Sequence, residues 1–305
     1  MNLSRRDFVR LSTAGVAAGL YAGPTGLLGQ PLRAEFRQLR RNVGIFIDRG
    51  GTIGWLVNLE GVIAVDSQFA DSAERFLVEL REVGGRPIHA LINTHHHADH
   101  TSGNGVLRYV VRYLVAHERS LENQRRSAAE RGVEAEQEYP DTTFADTWSI
   151  SVGDENIRAK YYGPAHTNGD VAILFERANV VHLGDLVNNR GYPNIDAAAG
   201  GSVHGWIDVL EQIAGEYPAD AMYVFGHSEG GHPVTGTTAD LNRQRDYFTA
   251  VLEAATRGIG AGRSREEVAA MQSLPGFEDT GGTVARLGLA LGIAYDELTA
   301  RGATR

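Results

Sequence analysis

The chain has 305 residues, of which 42% are apolar, so it can bury one substantial core in one large domain or two modest ones. Its formal net charge of −9 argues against a nucleic-acid partner, because phosphate binding needs a concentrated basic surface. The sequence has no cysteine, so any metal must be held by imidazole and carboxylate groups. These donors suit zinc, with iron or manganese as weaker alternatives.

The N-terminus predicts an export signal. Arg5 and Arg6 are followed by a mildly apolar stretch over 11–28, an order typical of a signal peptide. The arginine pair resembles the twin-arginine signal, so we expect residues 1–32 to be a leader that the twin-arginine export machinery handles. Residues 33–305 would then form a periplasmic or otherwise exported domain. The apolar stretch is too short and too weakly apolar to predict a membrane-spanning helix, so we expect no stable membrane span in the mature chain. The alternative is a solvated basic tail.

Short β-type runs alternate with amphipathic helical stretches in the first half of the mature chain. Glycine pairs such as Gly50-Gly51 separate the runs, and Ala73, Phe76 and Leu80 recur at helical spacing. In chain order the pattern predicts strands over 43–47, 53–59 and 62–65, a helix over 71–83, strands over 88–93 and 109–116, and a helix over 118–131.

The second half repeats this alternation. Ser264 and Glu267 form a capping-box pattern at the start of a C-terminal helical extension. Strands followed by helices, twice over, favour an α+β fold with two sheets face to face and helices outside, in one domain. The predicted strands cover 148–152, 157–162, 171–175, 180–183 and 222–225, and the predicted helices cover 203–217, 238–256, 264–271 and 283–301.

The segment after strand 88–93 carries the densest pattern of metal-ligating residues. His95, His97, Asp99 and His100 lie where a strand ends, and side chains there can converge from a rigid base. Two zinc ions about 3.5–4 Å apart would fit such a loop. Three more candidates end predicted strands beside a glycine, which lets the backbone turn sharply; they are His166, Asp185 and His227.

In this order the seven residues resemble the metallo-β-lactamase superfamily, over about 43 to about 231. The resemblance implies an αββα sandwich of two mixed β-sheets flanked by helices, with a dinuclear zinc site at one edge. Under this interpretation His95, His97 and His166 hold the first zinc, Asp99, His100 and His227 hold the second, and Asp185 bridges both.

The resemblance also implies hydrolysis. Two zinc ions per chain would leave positions for a bridging water that ionises near neutral pH, and the resulting hydroxide would attack the substrate. Asp99 is the predicted catalytic residue, because it can orient the nucleophile and receive its proton. The metals would make the site positive despite the acidic chain, so it could attract an anionic substrate.

Five further residues are predicted to assist. Asp66 and Asp170 are expected to support the ligand loops by hydrogen bonds, the alternative being simple turn residues. Asn188 and Tyr192 follow the bridging aspartate on a polar loop and are expected to contact the substrate. His204 opens the next helix and is expected to reach the same cleft.

The substrate class is narrowed by Asp185. Zinc β-lactamases with this motif usually carry cysteine or a differently placed histidine there, whereas an aspartate is more similar to glyoxalase II, lactonases, nucleases and phosphodiesterases. Acidic charge opposes a nuclease, and residues 235–305 show no recognisable glutathione-binding region. We therefore expect a small ester, lactone or amide as substrate, β-lactams included. The alternative is a metal-binding or diiron redox protein of a periplasmic pathway, not a hydrolase.

Overall fold

The computed structural model describes residues 34–84 and 87–302, so the predicted leader over 1–32 lies outside the described residues. They belong to a compact unit that begins at Ala34. None of the helices within these two ranges is long and apolar enough to cross a bilayer.

The strands and helices follow one another in two runs. The strands are β1 Glu35–Arg40, β2 Val43–Ile47, β3 Ile53–Val57, β4 Val62–Val65, β5 Ile88–Ile92, β6 Val111–His117, β7 Thr142–Phe144, β8 Thr147–Val152, β9 Glu155–Tyr161, β10 Val171–Phe175, β11 Val180–His182, β12 Asn188–Asn189, β13 Met222–Val224, β14 His227–Ser228 and β15 Thr235–Gly236. The helices are α1 Ala70–Glu82, α2 Ala98–Thr101, α3 Asn104–Leu107, α4 Glu118–Arg131, α5 Val203–Glu216, α6 Thr238–Gly260, α7 Arg265–Ala269 and α8 Val284–Gly302.

The first sheet contains β1 to β7 in chain order. Its first four strands pair antiparallel, and β4, β5, β6 and β7 pair parallel. Parallel neighbours need crossover connections, and α1 and α4 supply two of them. Because β4 and β5 run in the same direction, the residues that follow them, Asp66 and the segment 93–100, emerge at the same end of the sheet.

The second sheet has the order β15-β13-β11-β10-β9-β8. The run from β8 to β11 is an antiparallel meander, whereas β11 and β13 pair parallel with α5 between them. The carboxyl ends of β11 and β13 therefore also lie side by side, and Asp185 and His227 follow them within a few residues. A short parallel pair, β12 with β14, joins the two loops beyond these strands.

The core lies in three apolar layers. In β10, Ile173 faces the space between the sheets and Leu174 faces the helices, which is the period-two alternation of a strand buried on both sides. Phe76 of α1 covers the outer face of the first sheet, and α5, α6 and α8 cover the second, where Trp206 and Phe248 pack together. The layers run helix, sheet, sheet, helix, which confirms the predicted αββα fold.

The structure contains short elements that were not predicted, and it extends one predicted helix; besides β1 and β7, the unpredicted elements are β12, β14, β15, α2 and α3. The strands β1 and β7 were not predicted, because the alternation in Glu35–Arg40 leaves mostly half-exposed residues and Thr142–Phe144 is only three residues long. Helix α6 continues past the predicted end at 256 to Gly260, and Gly258 packs so closely on Val268 of α7 that an added Cβ would lie 2.3 Å from its methyl group.

Candidate metal centre

The strand ends bring all seven predicted ligands to one edge of the sandwich. Their donor atoms form two groups, each with every atom within 4.8 Å of the others in its group. The first group is His95, His97, His166 and Asp185, and the second is Asp99, His100 and His227.

In the first group, hydrogen-bond partners around the group decide which ring nitrogen of each histidine faces the centre. His166 Nδ1 lies 2.7 Å from the carbonyl oxygen of Asn194, which can only accept, so Nδ1 carries the proton and Nε2 faces inward as a lone pair. His97 Nε2 contacts the Asp196 carboxylate at 2.9 Å, which leaves His97 Nδ1 turned inward, 2.9 Å from His166 Nε2. His95 Nδ1 lies 3.0 Å from the Thr94 hydroxyl.

The second group shares its carboxylates. Asp99 Oδ2 lies 3.0 Å from His227 Nε2, and Asp185 Oδ1 lies 3.0 Å from His100 Nε2 and 3.4 Å from His227 Nε2. The other oxygen of Asp185, Oδ2, is 3.7 Å from His166 Nε2 in the first group. Asp185 therefore spans both groups with one carboxylate.

Three buried atoms at the centre fit metal coordination. Among the described residues, His95 Nε2, His100 Nε2 and Asp185 Oδ1 are shielded from solvent and form no hydrogen bond of normal geometry, although the last two atoms lie 3.0 Å apart. A buried polar atom without a partner costs on the order of 1–3 kcal/mol, so several of them together need an explanation. Imidazole nitrogens and carboxylate oxygens are the donors that zinc takes in proteins without cysteine ligands, and the inward lone pairs meet that requirement.

Burial and the carboxylates give the two groups different charge. Burial lowers the pKa of His95 well below its usual range and that of His166 to about 4, so both rings are neutral at pH 7. In the second group Asp185 raises the pKa of His227. Burial lowers the pKa of His100, but the Asp185 and Asp66 carboxylates outweigh burial and raise this pKa well above its usual range.

Asp66 connects the two donor groups by hydrogen bonds on the side away from their centres. It is fully buried at the end of β4 and accepts three hydrogen bonds, from Thr94 N at 2.7 Å, Thr94 Oγ1 at 2.8 Å and His100 Nδ1 at 2.8 Å. The Thr94 hydroxyl donates its hydrogen bond to Asp66, so the hydroxyl oxygen can accept a hydrogen bond from His95 Nδ1. One carboxylate thus orients a histidine of each group.

Asp170 supports the loop that carries His166. Its two oxygens accept from Thr167 N at 2.7 Å and Thr167 Oγ1 at 2.6 Å, and no ligand side chain touches it. Burial raises the pKa of Asp170 to about 7. The residue therefore holds the backbone next to a ligand rather than the ligand itself.

Asp196 was not predicted as a site residue. Its backbone N–H donates to the carbonyl oxygen of His166 at 2.9 Å, its Oδ2 contacts His97 Nε2, and its Oδ1 accepts from Ala199 N. It thus positions two histidines of the first group. Its sequence signal was weak, an aspartate among several polar residues on the loop after Asp185.

A cavity of about 220 Å³ opens over the two groups. Asn188 lines it, as predicted for a substrate contact, and the side-chain oxygen of Asn188 is buried without a hydrogen-bond partner. Besides the five ligand candidates that reach it, the cavity is lined by Asn188, Pro193, Asn194, Ser228, Glu229 and Arg286.

Two predicted substrate contacts do not line this cavity. Tyr192 is only 5% exposed and its ring packs in the core beside Tyr247, because the aromatic ring gains more from apolar burial than from the polar loop. His204 opens α5 as predicted, but its Nδ1 is held 2.5 Å from Glu297 of α8. The structure therefore corrects both predictions.

Comparison with known proteins gives one family. The model of the metallo-β-lactamase superfamily matches residues 48–227. The 2,4-dinitroanisole O-demethylase subunit alpha of Nocardioides sp. (strain JS1661) is 28% identical over 42% of this chain and 38% of its own length, so the chain matches well under half of that subunit. A metallo-β-lactamase type 2 from Elizabethkingia meningoseptica is 24% identical over 57% of this chain and 68% of that protein. In structure, a metallo-β-lactamase from Pontibacter korlensis is similar with a TM-score of 0.61, at 20% identity over 71% of this chain and 99% of that one. The family match covers more than half of the sequence, and this chain belongs to the metallo-β-lactamase superfamily, most of whose members are metal-dependent hydrolases.

Proposed function

We propose that this protein is an exported dinuclear zinc hydrolase that cleaves a small ester, lactone or amide, β-lactams included. The observation that carries the proposal is the pair of donor groups that share Asp185, with buried donor atoms that no hydrogen bond of normal geometry satisfies among the described residues. Zinc is favoured over manganese because imidazole provides most of the donors, whereas iron accepts the same donors and is the metal of the alternative function. His95, His97 and His166 would hold one ion, Asp99, His100 and His227 the other, and Asp185 both.

Two zinc ions in these positions would polarise a scissile carbonyl and lower the pKa of a water molecule towards neutrality. The chain supplies the orientation. Asp99 lines the cavity, and although burial opposes it, the hydrogen bond from His227 holds the pKa of Asp99 at about 2. Its carboxylate is therefore ionised at neutral pH and can accept a hydrogen bond from the attacking water, align it and take its proton.

Asn188 is the proposed substrate contact. Its backbone pairs with His227 through β12 and β14, which fixes it beside the second donor group. Its side-chain amide can donate to a substrate carbonyl.

Export is supported by the sequence pattern of residues 1–32 alone. Replacing Arg5 and Arg6 by lysine in the full-length chain should retain the protein in the cytoplasm, and cell fractionation measures this directly. Equal periplasmic yield from both forms would contradict twin-arginine export.

A substrate panel tests the hydrolase proposal. Purified protein, loaded with zinc, is offered lactones, β-lactams, thioesters, aryl esters and an aryl methyl ether, the last because one relative is named as an O-demethylase subunit. We expect hydrolysis of at least one ester, lactone or amide by the wild type and loss of it in Asp185→Ala. No hydrolysis with zinc, together with redox activity after loading with iron, would favour the metal-binding or diiron alternative and contradict the proposal.

A further inference from the structure

The C-terminal helical extension contributes a side chain to the cavity. Arg286 lies on the first turn of α8, well outside the segment 48–227 that matches the family, and it lines the cavity over the two donor groups. The extension is fastened to the rim of the site, because Gly281 N donates to the carbonyl oxygen of Arg190 at 2.7 Å and Tyr192 N donates to the carbonyl oxygen of Gly281 at 3.0 Å. The position of Arg286 is thus built into the fold.

The guanidinium of Arg286 has unused hydrogen-bonding capacity. It donates one hydrogen bond, from Nη1 to the carbonyl oxygen of Tyr192 at 3.2 Å, and it forms no ion pair with an acidic side chain in the described part of the chain. Its neighbours differ: Arg190 and Arg243 both pair with Asp279. A guanidinium carries five N–H donors and stays charged at any physiological pH, so most of the donors of Arg286 remain available.

Glu229 is the other charged residue that the cavity adds to the ligand candidates, and it forms no ion pair with Arg286. The stem of Glu229 packs against Gly191 and Gly281, where an added Cβ would meet it at 2.7 and 3.1 Å. The rim thus holds Glu229 by packing, and Arg286 has no ion-pair partner among the described residues.

We propose that Arg286 binds a carboxylate of the substrate, so that the enzyme acts on small esters, lactones or amides that also carry a carboxylate. The inference rests on the proposed hydrolase function of the same cavity. A guanidinium and a carboxylate form two parallel charge-assisted hydrogen bonds, which fix orientation as well as affinity. The cavity of about 220 Å³ is smaller than the roughly 300–1,000 Å³ of pockets for drug-sized ligands, which favours a small acid as the part of the substrate that it encloses.

A pair of esters of equal length tests the proposal. Mono-(4-nitrophenyl) glutarate ends in a carboxylate, and 4-nitrophenyl pentanoate ends in a methyl group. We expect Arg286→Gln to lower kcat/KM for the glutarate by about 10- to 100-fold, the usual range for losing a hydrogen-bonded charge, and to leave the pentanoate unchanged. Arg286→Lys should fall between the two. The matched control is Arg257→Gln, an exposed arginine of α6 that pairs with Glu253.

A binding measurement separates this inference from the hydrolase proposal. Calorimetric titration of glutarate into the same zinc-loaded proteins needs no turnover, and thermal unfolding confirms that each variant is folded. Binding weakened at least about 10-fold in Arg286→Gln alone supports the carboxylate site, even if neither ester is cleaved and the hydrolase proposal fails. Equal dissociation constants in the wild type, Arg286→Gln and Arg257→Gln would overturn the inference, even if both esters are cleaved.

Discussion

The two donor groups use the same residue types, but the pKa values of their histidines shift in opposite directions without metal. In the first, burial keeps His95 and His166 neutral, and their outer nitrogens bond to a hydroxyl and a carbonyl. In the second, His100 and His227 face the Asp185 carboxylate, and their pKa values are raised. The difference follows from where β4 and β11 deliver their aspartates.

This difference bears on how the centre is assembled. Zinc binds neutral imidazole, so a ring that is already neutral needs no deprotonation before coordination. His95 and His166 are therefore ready for a metal ion, whereas protons compete more strongly with an ion at His100 and His227, whose pKa values are raised. We expect the first position to fill before the second. The predictions below test this contrast, beginning with the largest expected effect.

Asp185→Ala should remove the residue common to both groups. We expect kcat/KM for a hydrolysed ester to fall by more than about 100-fold, because even outer partners of metal ligands cost 10–100-fold when lost. Steady-state kinetics measure the loss. The matched control is Asp246→Asn, an exposed aspartate of α6 beside Arg245, which should keep full activity. Activity retained in Asp185→Ala would contradict the shared role.

Asp66→Ala and Asp196→Ala compare the supports of the two groups. Asp66 is fully buried and orients His100 directly and His95 through Thr94, so its loss should weaken zinc binding at both positions, by about 100-fold. Asp196 is half-exposed and contacts His97, so we expect about a 10-fold loss confined to the first position. Zinc titration against a competing chelator measures both values. Equal losses of zinc affinity in the two variants would contradict the different roles of Asp66 and Asp196.

The two zinc affinities should depend differently on pH. Protons compete with the second ion for His100 and His227, because the pKa values of both rings are raised. The pKa values of His95 and His166 lie well below neutrality, so these rings carry no added proton at neutral pH. Lowering the pH from about 8 to about 6 should therefore weaken the second zinc more than the first. Chelator titrations across this range give the slopes, and parallel slopes would contradict the assignment.

Asp170→Asn should change how the stability of the metal-free protein varies with pH. Burial raises the pKa of Asp170 to about 7, so the folded chain keeps a proton that the unfolded chain releases near pH 4. The contribution of Asp170 to stability is thus present below about pH 4 and is lost as the pH rises to about 7. Between these values the variant should gain up to about 1 kcal/mol per pH unit relative to the wild type. Urea unfolding measures the difference, and curves of equal slope would contradict it.

Much of the fold was predictable because its strands are short apolar runs between turn residues. The strands over Val43–Ile47, Val62–Val65 and Val171–Phe175 were predicted with their observed bounds. The convergence of His95 and its neighbours was predictable too, because parallel strands end at a common edge. These are local signals in the sequence, and the pairing of strands in the sheet turns them into a common edge.

The parts that could not be predicted depend on distant contacts. His204 is held by Glu297, far along the chain in α8, and no pattern near His204 indicates this. Asp196 reaches the site through its contacts with His166 and His97, and Arg286 lies there because hydrogen bonds of Gly281 join the segment before α8 to the loop after Asp185. Tyr192 has the polar tip of a binding residue, but packing buried it. Tertiary contacts decide such positions, and spacing along the sequence carries little information about them.

The zinc content of the purified protein tests the central claim most directly. Elemental mass spectrometry should find about two zinc ions per chain in the wild type after zinc-replete purification, and a loss of both in the His95→Ala, Asp185→Ala double variant. The absence of bound zinc from the wild type, or an unchanged content in a folded double variant, would contradict the dinuclear centre.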